Sequence, residues 1–347
     1  MKICFATYQS VMLLKGGPRT QILQTKLCLE KLGVEVSLFN SWQEFSKEDF
    51  DYVHIFGANI GTYHFAREIH KIGIPLIVTP IFFTRRSQSI VNFIVKSDFL
   101  IKRYVRGTWT DYGIVSEICS WAKWVLPNTE KEAQLIIKGF CINRDKIRVV
   151  PNGVEKRFYD SDPSIFIKQY GIENFILNVG HIGPERKNVL NLIKALENIE
   201  QPAVIIGRVE NNNYSRMCLQ LAKKNPRLLI IDNIPNDSEL LMSAYAACDT
   251  FVLPSQFETP GIAALEAALA GAKIVITKFG GTEEYFGTYA DYVEPNSIQS
   301  IQDAIRNSIS REKDNTLREY VKKEYLWENI AEKLLEVYKF ESNPRFS

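Results

Sequence analysis

Several familiar signals are absent from this chain of 347 residues, and each absence excludes a class of protein. The six cysteines form no C-x-x-C pair and show no metal-ligand spacing, so we expect small, buried apolar residues in a reducing compartment. The formal net charge is only +2, too small to indicate a general nucleic-acid binder. No apolar run approaches the length of a membrane-spanning helix.

A signal peptide is also missing, because residues 1–9 (MKICFATYQ) have neither an apolar core nor a cleavage site. We therefore expect a cytoplasmic protein, with peripheral attachment to the inner face of the cell membrane left open. The content of 46% hydrophobic and 24% charged residues is ordinary for a globular protein. A chain of this length is expected to form two domains.

Short apolar runs alternate with helix-period segments, a pattern typical of parallel sheets built from βαβ units. The first series of predicted strands spans 2–7, 34–39, 52–56, 75–79, 123–126 and 147–150, and the second spans 175–179, 203–206, 228–232, 250–253 and 273–277. Two series predict an α/β protein with two Rossmann-like domains, and the charged segment 315–341 predicts one long closing helix. Ligands of parallel sheets collect at the carboxyl ends of strands, so the loops there are the candidate sites.

Two of these loops carry glycines before a predicted helix. In LLKGGPRT (13–20), Gly16 and Gly17 allow close approach of a ligand, and a helix N-terminus favours an anion. The alternative there is a plain βα turn. In NVGHIGPERKNVLNLIKAL (178–196), Gly180 and Gly183 accompany Arg186 and Lys187 at the helix entry, which indicates a diphosphate site. The alternative is a solvated basic turn.

The third loop, PSQFETPGIAALEAALAG (254–271), sets Glu258 and Glu266 among apolar and small residues. We predict a helix that begins at Thr259-Pro260 and stops at Gly271. Buried carboxylates need hydrogen-bond donors. Glu266 would suit the two hydroxyls of a ribose, and Glu258 would suit a second polyol such as a sugar ring. The alternatives are a carboxylate placed for the helix dipole at Glu258 and one satisfied by backbone or arginine at Glu266.

Six stretches of the sequence, in their order along the chain, resemble segments of the group 1, or family 4, glycosyltransferases of the GT-B fold. FETPGIAALEAALAG resembles their E-x7-E signature, and VGHIGPERKNVLNLIKAL resembles their phosphate loop. VVPNGV, AACDTFVLPS, KFGGTEEYFG and EYLWENIAEKLLEVY resemble four further segments of that family. The resemblance implies two Rossmann-like domains that face each other across a cleft. It implies an acceptor-binding domain over 1–152, a nucleotide-sugar domain over 153–327 and a closing helix over 328–347 that packs on the first domain.

The resemblance also implies an activity: transfer of a hexosyl-type sugar from a nucleotide-diphosphate sugar, with retention at the anomeric carbon and without a metal. The acceptor would be a glycan or a lipid-linked molecule in cell-surface polysaccharide or glycolipid synthesis. Lys187 and Arg186 would stabilise the leaving diphosphate, and Glu258 would contact the transferred sugar. The nucleotide-sugar-binding residues would be Gly16, Gly17, Gly180, His181, Lys187, Glu258, Gly261, Ile262 and Glu266. The base, the sugar and the acceptor stay open.

Two positions depart from the family, and one motif mimics a different kind of site. His181 replaces an arginine that often follows the phosphate-loop glycine, and Ile81 replaces a histidine that usually contacts the sugar. Asp49 and Asp51 spell D-x-D, but they precede a predicted strand, so we expect surface residues rather than metal ligands. Two other functions stay open: a non-catalytic nucleotide-binding subunit and a sugar-nucleotide epimerase. A dinucleotide dehydrogenase is disfavoured, because no G-x-G-x-x-G follows a strand.

The segment 85–109 interleaves basic and apolar residues, which is typical of a helix that lies on an anionic membrane. Its basic residues are Arg85, Arg86, Lys96, Lys102, Arg103 and Arg106, and its apolar residues include Phe93, Leu100, Tyr104 and Trp109. The alternative is a core helix with a solvated basic face.

Overall fold

The computed structural model describes residues 1–14, 16–105 and 107–340, and the chain divides into two compact units. The first unit is Met1–Asn152 with the segment that begins at Trp327, and the second is Gly153–Leu326. The sheet of each unit is parallel. The predicted α/β class with two parallel-sheet domains is therefore confirmed.

The first unit holds a five-stranded sheet of order β2-β1-β3-β4-β5. Its strands are β1 Lys2–Thr7, β2 Glu35–Leu38, β3 Tyr52–Phe56, β4 Leu76–Thr79 and β5 Trp124–Val125. Its helices are α1 Val11–Leu14, α2 Gly17–Lys31, α3 Ile60–Ile72, α4 Gln88–Tyr104, α5 Asp111–Trp121 and α6 Glu130–Phe140. The strand predicted at 147–150 is wrong: β5 offers only a short edge, so one parallel bridge forms, between Val125 and Ile147.

The second unit holds a six-stranded sheet of order β11-β10-β9-β6-β7-β8. Its strands are β6 Phe175–Val179, β7 Ala203–Ile206, β8 Leu228–Ile231, β9 Cys248–Leu253, β10 Lys273–Thr277 and β11 Ala290–Val293. Its helices are α7 Ser164–Tyr170, α8 Val189–Leu196, α9 Asn213–Ala222, α10 Glu239–Ala247, α11 Ile262–Leu269, α12 Thr282–Phe286, α13 Ile298–Ile309 and α14 Thr316–Tyr325. The sequence prediction missed β11, an edge strand whose ADYV residues form no apolar run.

The closing segment is two helices rather than the single one predicted. Helix α14 ends at Tyr325, and α15 spans Trp327–Lys339. Between them Leu326 is extended and forms a parallel bridge with Val154, whose N–H donates to the Tyr325 carbonyl at 2.8 Å. The Tyr325 carbonyl is thereby bonded to Val154, whereas in a continuous helix it would accept from an N–H of the following turn. Residues 341–347 lie outside the described residues.

Helix α15 packs on α2 within the first unit, and a buried histidine fastens it to the sheet. His54 of β3 lies 2.6 Å from the Tyr338 hydroxyl and 2.9 Å from the Thr79 hydroxyl. Burial lowers the pKa of His54 to about 3, so this ring is neutral at physiological pH. Five cysteines are buried as expected, but Cys141 is exposed, because it ends α6 in a left-handed conformation at the surface.

Candidate functional site

The three residues predicted to be catalytic come together at the carboxyl edge of the second sheet. Strands β6 and β9 are neighbours, so the loops that follow them lie side by side. Lys187 Nζ donates to Glu258 Oε1 at 2.7 Å, and Arg186 Nη1 lies 3.6 Å from the same oxygen. Arg186 also donates to the Phe257 carbonyl at 3.0 Å, and its own carbonyl accepts from Gln256 N at 2.8 Å. The two loops therefore form one surface.

Charge decides the state of Glu258, which is only 7% exposed. Burial alone would raise the pKa of this carboxyl, but Lys187 and Arg186 outweigh it and hold the pKa below its usual value. The carboxylate is therefore ionised at neutral pH. Lys187 spends one N–H on Glu258 and has two more that can meet an anion. In the neighbouring loop, Lys187 thus donates a hydrogen bond to Glu258, and Arg186 forms an ion pair with it.

A glycine turn grips the backbone of Glu258. The N–H of Glu258 donates to the Phe279 carbonyl at 3.1 Å, and the carbonyl of Glu258 accepts from Gly281 N at 3.0 Å. Between them Gly280 has a φ of +101°, and a Cβ there would lie 1.9 Å from the Glu258 carbonyl oxygen. Only glycine fits at this approach. The sequence pointed to this turn by resemblance, without its contact to Glu258.

The start of α11 differs from the prediction. The helix begins at Ile262, after a cis Thr259–Pro260 peptide and after Gly261, whose φ is +83°. Thr259 therefore does not cap the helix and Pro260 is not its first residue, because the left-handed Gly261 separates them from it. The predicted stop is close: α11 ends at Leu269, and Gly271 follows with a φ of +95°.

Glu266 lies half-buried on α11 and takes its hydrogen bond from a tyrosine. The buried Tyr245 hydroxyl of α10 donates to Glu266 Oε2 at 2.8 Å. Burial raises the pKa of Glu266 to about 7; the Tyr245 hydrogen bond and Arg157 oppose this rise, and Glu155 adds to it. Tyr245, Glu155 and Arg157 were missed, since nothing in their spacing connects them to the third loop.

The loop after β6 is open beside Gly180, where an added Cβ would meet nothing within 4 Å. Gly180 N donates to the Ile206 carbonyl at 2.9 Å. His181 is partly exposed, and burial lowers its pKa, with help from Lys187 and Arg208 and against Glu210. His181 is therefore neutral at pH 7 and adds no charge for a phosphate. Arg208 and Glu210 follow β7 and were not predicted.

The remaining site predictions fall in the first unit. Gly16 immediately precedes α2, and Gly17 is its first residue, with Pro18 in the first turn as expected. Ile81 follows β4 with a φ of +53°. A β-branched residue rarely adopts this left-handed conformation. Asp51 accepts from Lys2 N at 2.7 Å immediately before β3.

Helix α4 carries the basic and apolar residues of the segment 85–109. One face of it is exposed and apolar, with Phe93 at 71%, Leu100 at 57% and Tyr104 at 82% exposure. Lys96 and Arg103 are exposed beside it, whereas Lys102 turns inward and lies 2.7 Å from Asp98 and from Glu117. Arg106 lies outside the described residues. Nowhere in the described ranges does a helix combine the length and the apolar content required to cross a bilayer.

Sequence comparisons find relatives that are named as glycosyltransferases. Residues 165–327 match the family model of the glycosyl transferases group 1. An uncharacterized glycosyltransferase of Methanocaldococcus jannaschii is 30% identical over 58% of this chain and 55% of its own length. The O-antigen chain mannosyltransferase B of Escherichia coli is 23% identical over 63% of this chain and 61% of its own length. The chain thus spans less than two thirds of these curated relatives.

Structure comparisons match nearly the whole chain. A sucrose-phosphate synthase from Thermosynechococcus elongatus superposes with a TM-score of 0.75 at 17% identity, over 99% of this chain and 100% of that one. Anabaena HepE in complex with UDP superposes with a TM-score of 0.71 at 16% identity, over 98% of this chain and 100% of that one. At such identities the similarity shows the fold alone.

Proposed function

We propose that the chain, whose residues 165–327 match the group 1 glycosyltransferases and whose fold is GT-B, moves a sugar from a nucleotide-diphosphate sugar to a glycan or lipid-linked acceptor, with retention. The observation that carries this proposal is the cluster of Lys187, Arg186 and Glu258 at the carboxyl edge of the second sheet. It provides fixed cations beside an ionised carboxylate. That combination suits a reaction in which an anion leaves and a ring becomes positive.

In the proposed reaction, the bond between the anomeric carbon and the diphosphate oxygen breaks, and negative charge grows on the diphosphate. The two free N–H groups of Lys187, with the guanidinium of Arg186, would stabilise that charge. Glu258 would face the transferred sugar, whose ring gains oxocarbenium character. Because protein cations fill the role of neutralising the leaving group, we propose that no divalent metal takes part.

The donor is proposed from the chemistry of the loops. Gly180 leaves open space for a phosphate. Helix α11 begins at Ile262, directly after Gly261, and has no side-chain cap, so the amides of these two residues would donate to an anion. Glu266 would accept from the ribose hydroxyls. Anabaena HepE has been solved with UDP and with UDP and glucose, which supports a nucleotide sugar as the donor.

We expect the affinity for a nucleoside diphosphate to rise with pH through about 7, because the ionised form of Glu266 accepts ribose hydroxyls better than the protonated form. Affinity should gain several-fold between pH 6 and pH 8, because the ionised fraction of a carboxyl with a pKa of about 7 rises from about one tenth to about nine tenths. Isothermal titration calorimetry against pH measures this. The diphosphate itself titrates in this range, so the profile of Glu266→Gln is the reference; identical profiles would contradict the ribose role.

An acceptor-dependence assay tests the function itself. A thermal-shift screen with nucleoside diphosphates and sugar nucleotides first selects a donor. Release of nucleoside diphosphate is then measured with and without an extract of cell-envelope glycans and glycolipids as the acceptor pool. Release that requires the pool supports transfer, and NMR of the purified product reports retention. Release without acceptor would favour an epimerase-type reaction, and binding without release would favour a non-catalytic subunit.

We also propose that helix α4 docks on an anionic membrane at the cytoplasmic side, where a lipid-linked acceptor would reside. The support is its exposed apolar face, Phe93, Leu100 and Tyr104, flanked by the exposed cations Lys96 and Arg103. Apolar side chains would enter the interface, and the cations would meet acidic head groups.

Vesicle flotation tests this docking. We expect binding to phosphatidylglycerol vesicles but not to phosphatidylcholine vesicles, with weakening at high salt. Phe93→Ser should reduce binding at least about tenfold, because a buried phenylalanine contributes roughly 1.5–3 kcal/mol. Ile60→Ser is the matched control, as Ile60 is equally exposed, at 70%, on another helix. Absence of wild-type binding to the anionic vesicles would contradict the proposal.

A further inference from the structure

The turn after β4 in the first unit is held in an unfavourable conformation from both sides. Ile81 has a φ of +53°, which costs a β-branched residue free energy and persists only where the surroundings impose it. Before it, the Pro80 carbonyl accepts from Ala58 N at 2.9 Å. After it, Phe82 N donates to Glu132 Oε1 at 2.8 Å. The chain thus cannot relax on either side of Ile81.

Glu132 is the group that joins this turn to the next loop. Its second oxygen, Oε2, accepts from Asn128 N at 2.8 Å in the loop after β5. Glu132 is only 2% exposed, so its carboxylate lies in the interior of the unit. Leaving buried N–H groups unsatisfied is costly, so both loops depend on this one side chain.

The network also reaches helix α2, which follows the loop after β1. Gln21, buried on α2, donates from Nε2 to Asn128 Oδ1 at 3.1 Å. The loops after β1, β4 and β5 all lie at the carboxyl edge of the parallel sheet, where ligands bind in such folds. The Glu132 carboxylate on α6 and the Gln21 amide on α2 therefore hold the loops after β4 and β5 in place, although neither residue belongs to those loops.

We propose that Glu132 is a positioning residue of the first unit: it keeps Ile81 left-handed and locks the loops after β4 and β5 into the edge that receives the acceptor. This rests on the proposed transfer function for the identity of the ligand. The strain at Ile81 is the cost of a fixed, pre-organised edge. A small misplacement of such an edge lowers turnover sharply without touching the nucleotide site of the second unit.

Glu132→Gln tests the proposal, since a glutamine can accept from only one of the two N–H groups. With the donor selected by the thermal-shift screen and the glycan and glycolipid extract as the acceptor pool, we expect the apparent kcat/KM for acceptor to fall at least about tenfold. The affinity for UDP, used as the nucleotide probe, should stay within about twofold because the second unit is unchanged. Hydrogen exchange should rise in peptides that cover Phe82 and Asn128.

Thr129→Ala is the matched control, because Thr129 caps α6 by accepting from Glu132 N at 3.0 Å and touches neither loop amide. It should lower the urea midpoint of the first unit while leaving kcat/KM within about twofold. All five tryptophans lie in the first unit, so tryptophan fluorescence follows its unfolding alone. Equal losses of kcat/KM in both variants would reduce Glu132 to a helix cap and overturn the proposal.

Ile81→Gly supplies a test that needs no activity. Because glycine adopts the left-handed conformation without strain, Glu132→Gln should lower the urea midpoint less in the Ile81→Gly background than in the wild type. An unchanged effect of Glu132→Gln in the two backgrounds would overturn the link between Glu132 and Ile81. If the wild type transfers no sugar, the proposed function fails, and this comparison still decides whether Glu132 holds the turn.

Discussion

Replacing Lys187 by alanine should lower kcat/KM by about 10²- to 10³-fold, the typical effect of removing one fixed group that stabilises transition-state charge. Lys187 is the cation nearest to Glu258, at 2.7 Å, and it has N–H groups left for a diphosphate. The loss should appear in kcat as well as in donor affinity, since the charge on the leaving group grows in the transition state. Steady-state kinetics with the selected donor measure both.

Lys194→Ala is the matched control for Lys187→Ala. Lys194 is exposed in the last turn of α8, the helix that follows the loop of Lys187, and so lies away from the glycines of that loop. It carries the same charge and should leave kcat/KM within about twofold. Because Lys187→Ala also leaves Glu258 with Arg186 as its remaining cation at 3.6 Å, circular dichroism must show that the variant is folded. A folded Lys187→Ala variant with wild-type kcat/KM would remove Lys187 from the proposed mechanism.

Replacing Gly280 by alanine should destabilise the second unit by about 3–5 kcal/mol, since overpacking and an unfavourable φ add. The added Cβ would lie 1.9 Å from the backbone oxygen of Glu258, which cannot move alone because Gly281 N holds it. Urea unfolding followed by circular dichroism measures the loss, as the second unit contains no tryptophan.

Gly271→Ala separates the two causes. Gly271 has a similar φ of +95°, but a Cβ there would meet only a side-chain carbon of Arg318, at 3.8 Å. It should therefore cost roughly 1–2 kcal/mol, the penalty of a left-handed conformation alone. If the two alanine variants lost equal stability, the close approach to Glu258 would not be the reason for glycine at position 280.

The positions of most strands along the chain were predictable, because buried parallel strands are continuous apolar runs bounded by helices. Where that signal fails, so does the prediction: the residues ADYV of β11 form no apolar run, and the apolar 147–150 has only a short edge to pair with. The break at Leu326 was hidden for another reason. It depends on a bridge to Val154, about half the chain away, which helical periodicity does not show.

The candidate site was likewise predictable only in part: its residues were predicted, but their contacts were not. Local residue types predicted Lys187, Arg186, Glu258 and Glu266, since each stands in a loop or helix that follows a strand. Their distances and partners depend on which strands are neighbours, and so Tyr245 at Glu266 was not foreseen. The left-handed Ile81 was equally hidden, because isoleucine is a residue from which no such conformation is expected. The resemblance to the family singled out position 81 but gave no reason for its left-handed backbone.

The pairing of Leu326 with Val154 has a consequence for how the protein is assembled. The second unit is one continuous stretch of chain, Gly153–Leu326, whose first and last residues lie together at this bridge. The first unit is a host interrupted by that insert, and its α15 is fastened by Tyr338 to His54. During synthesis on the ribosome, the insert is therefore complete before the host receives its last helix. The insert is the part that can be excised as a single segment, whereas the host would need its two pieces rejoined.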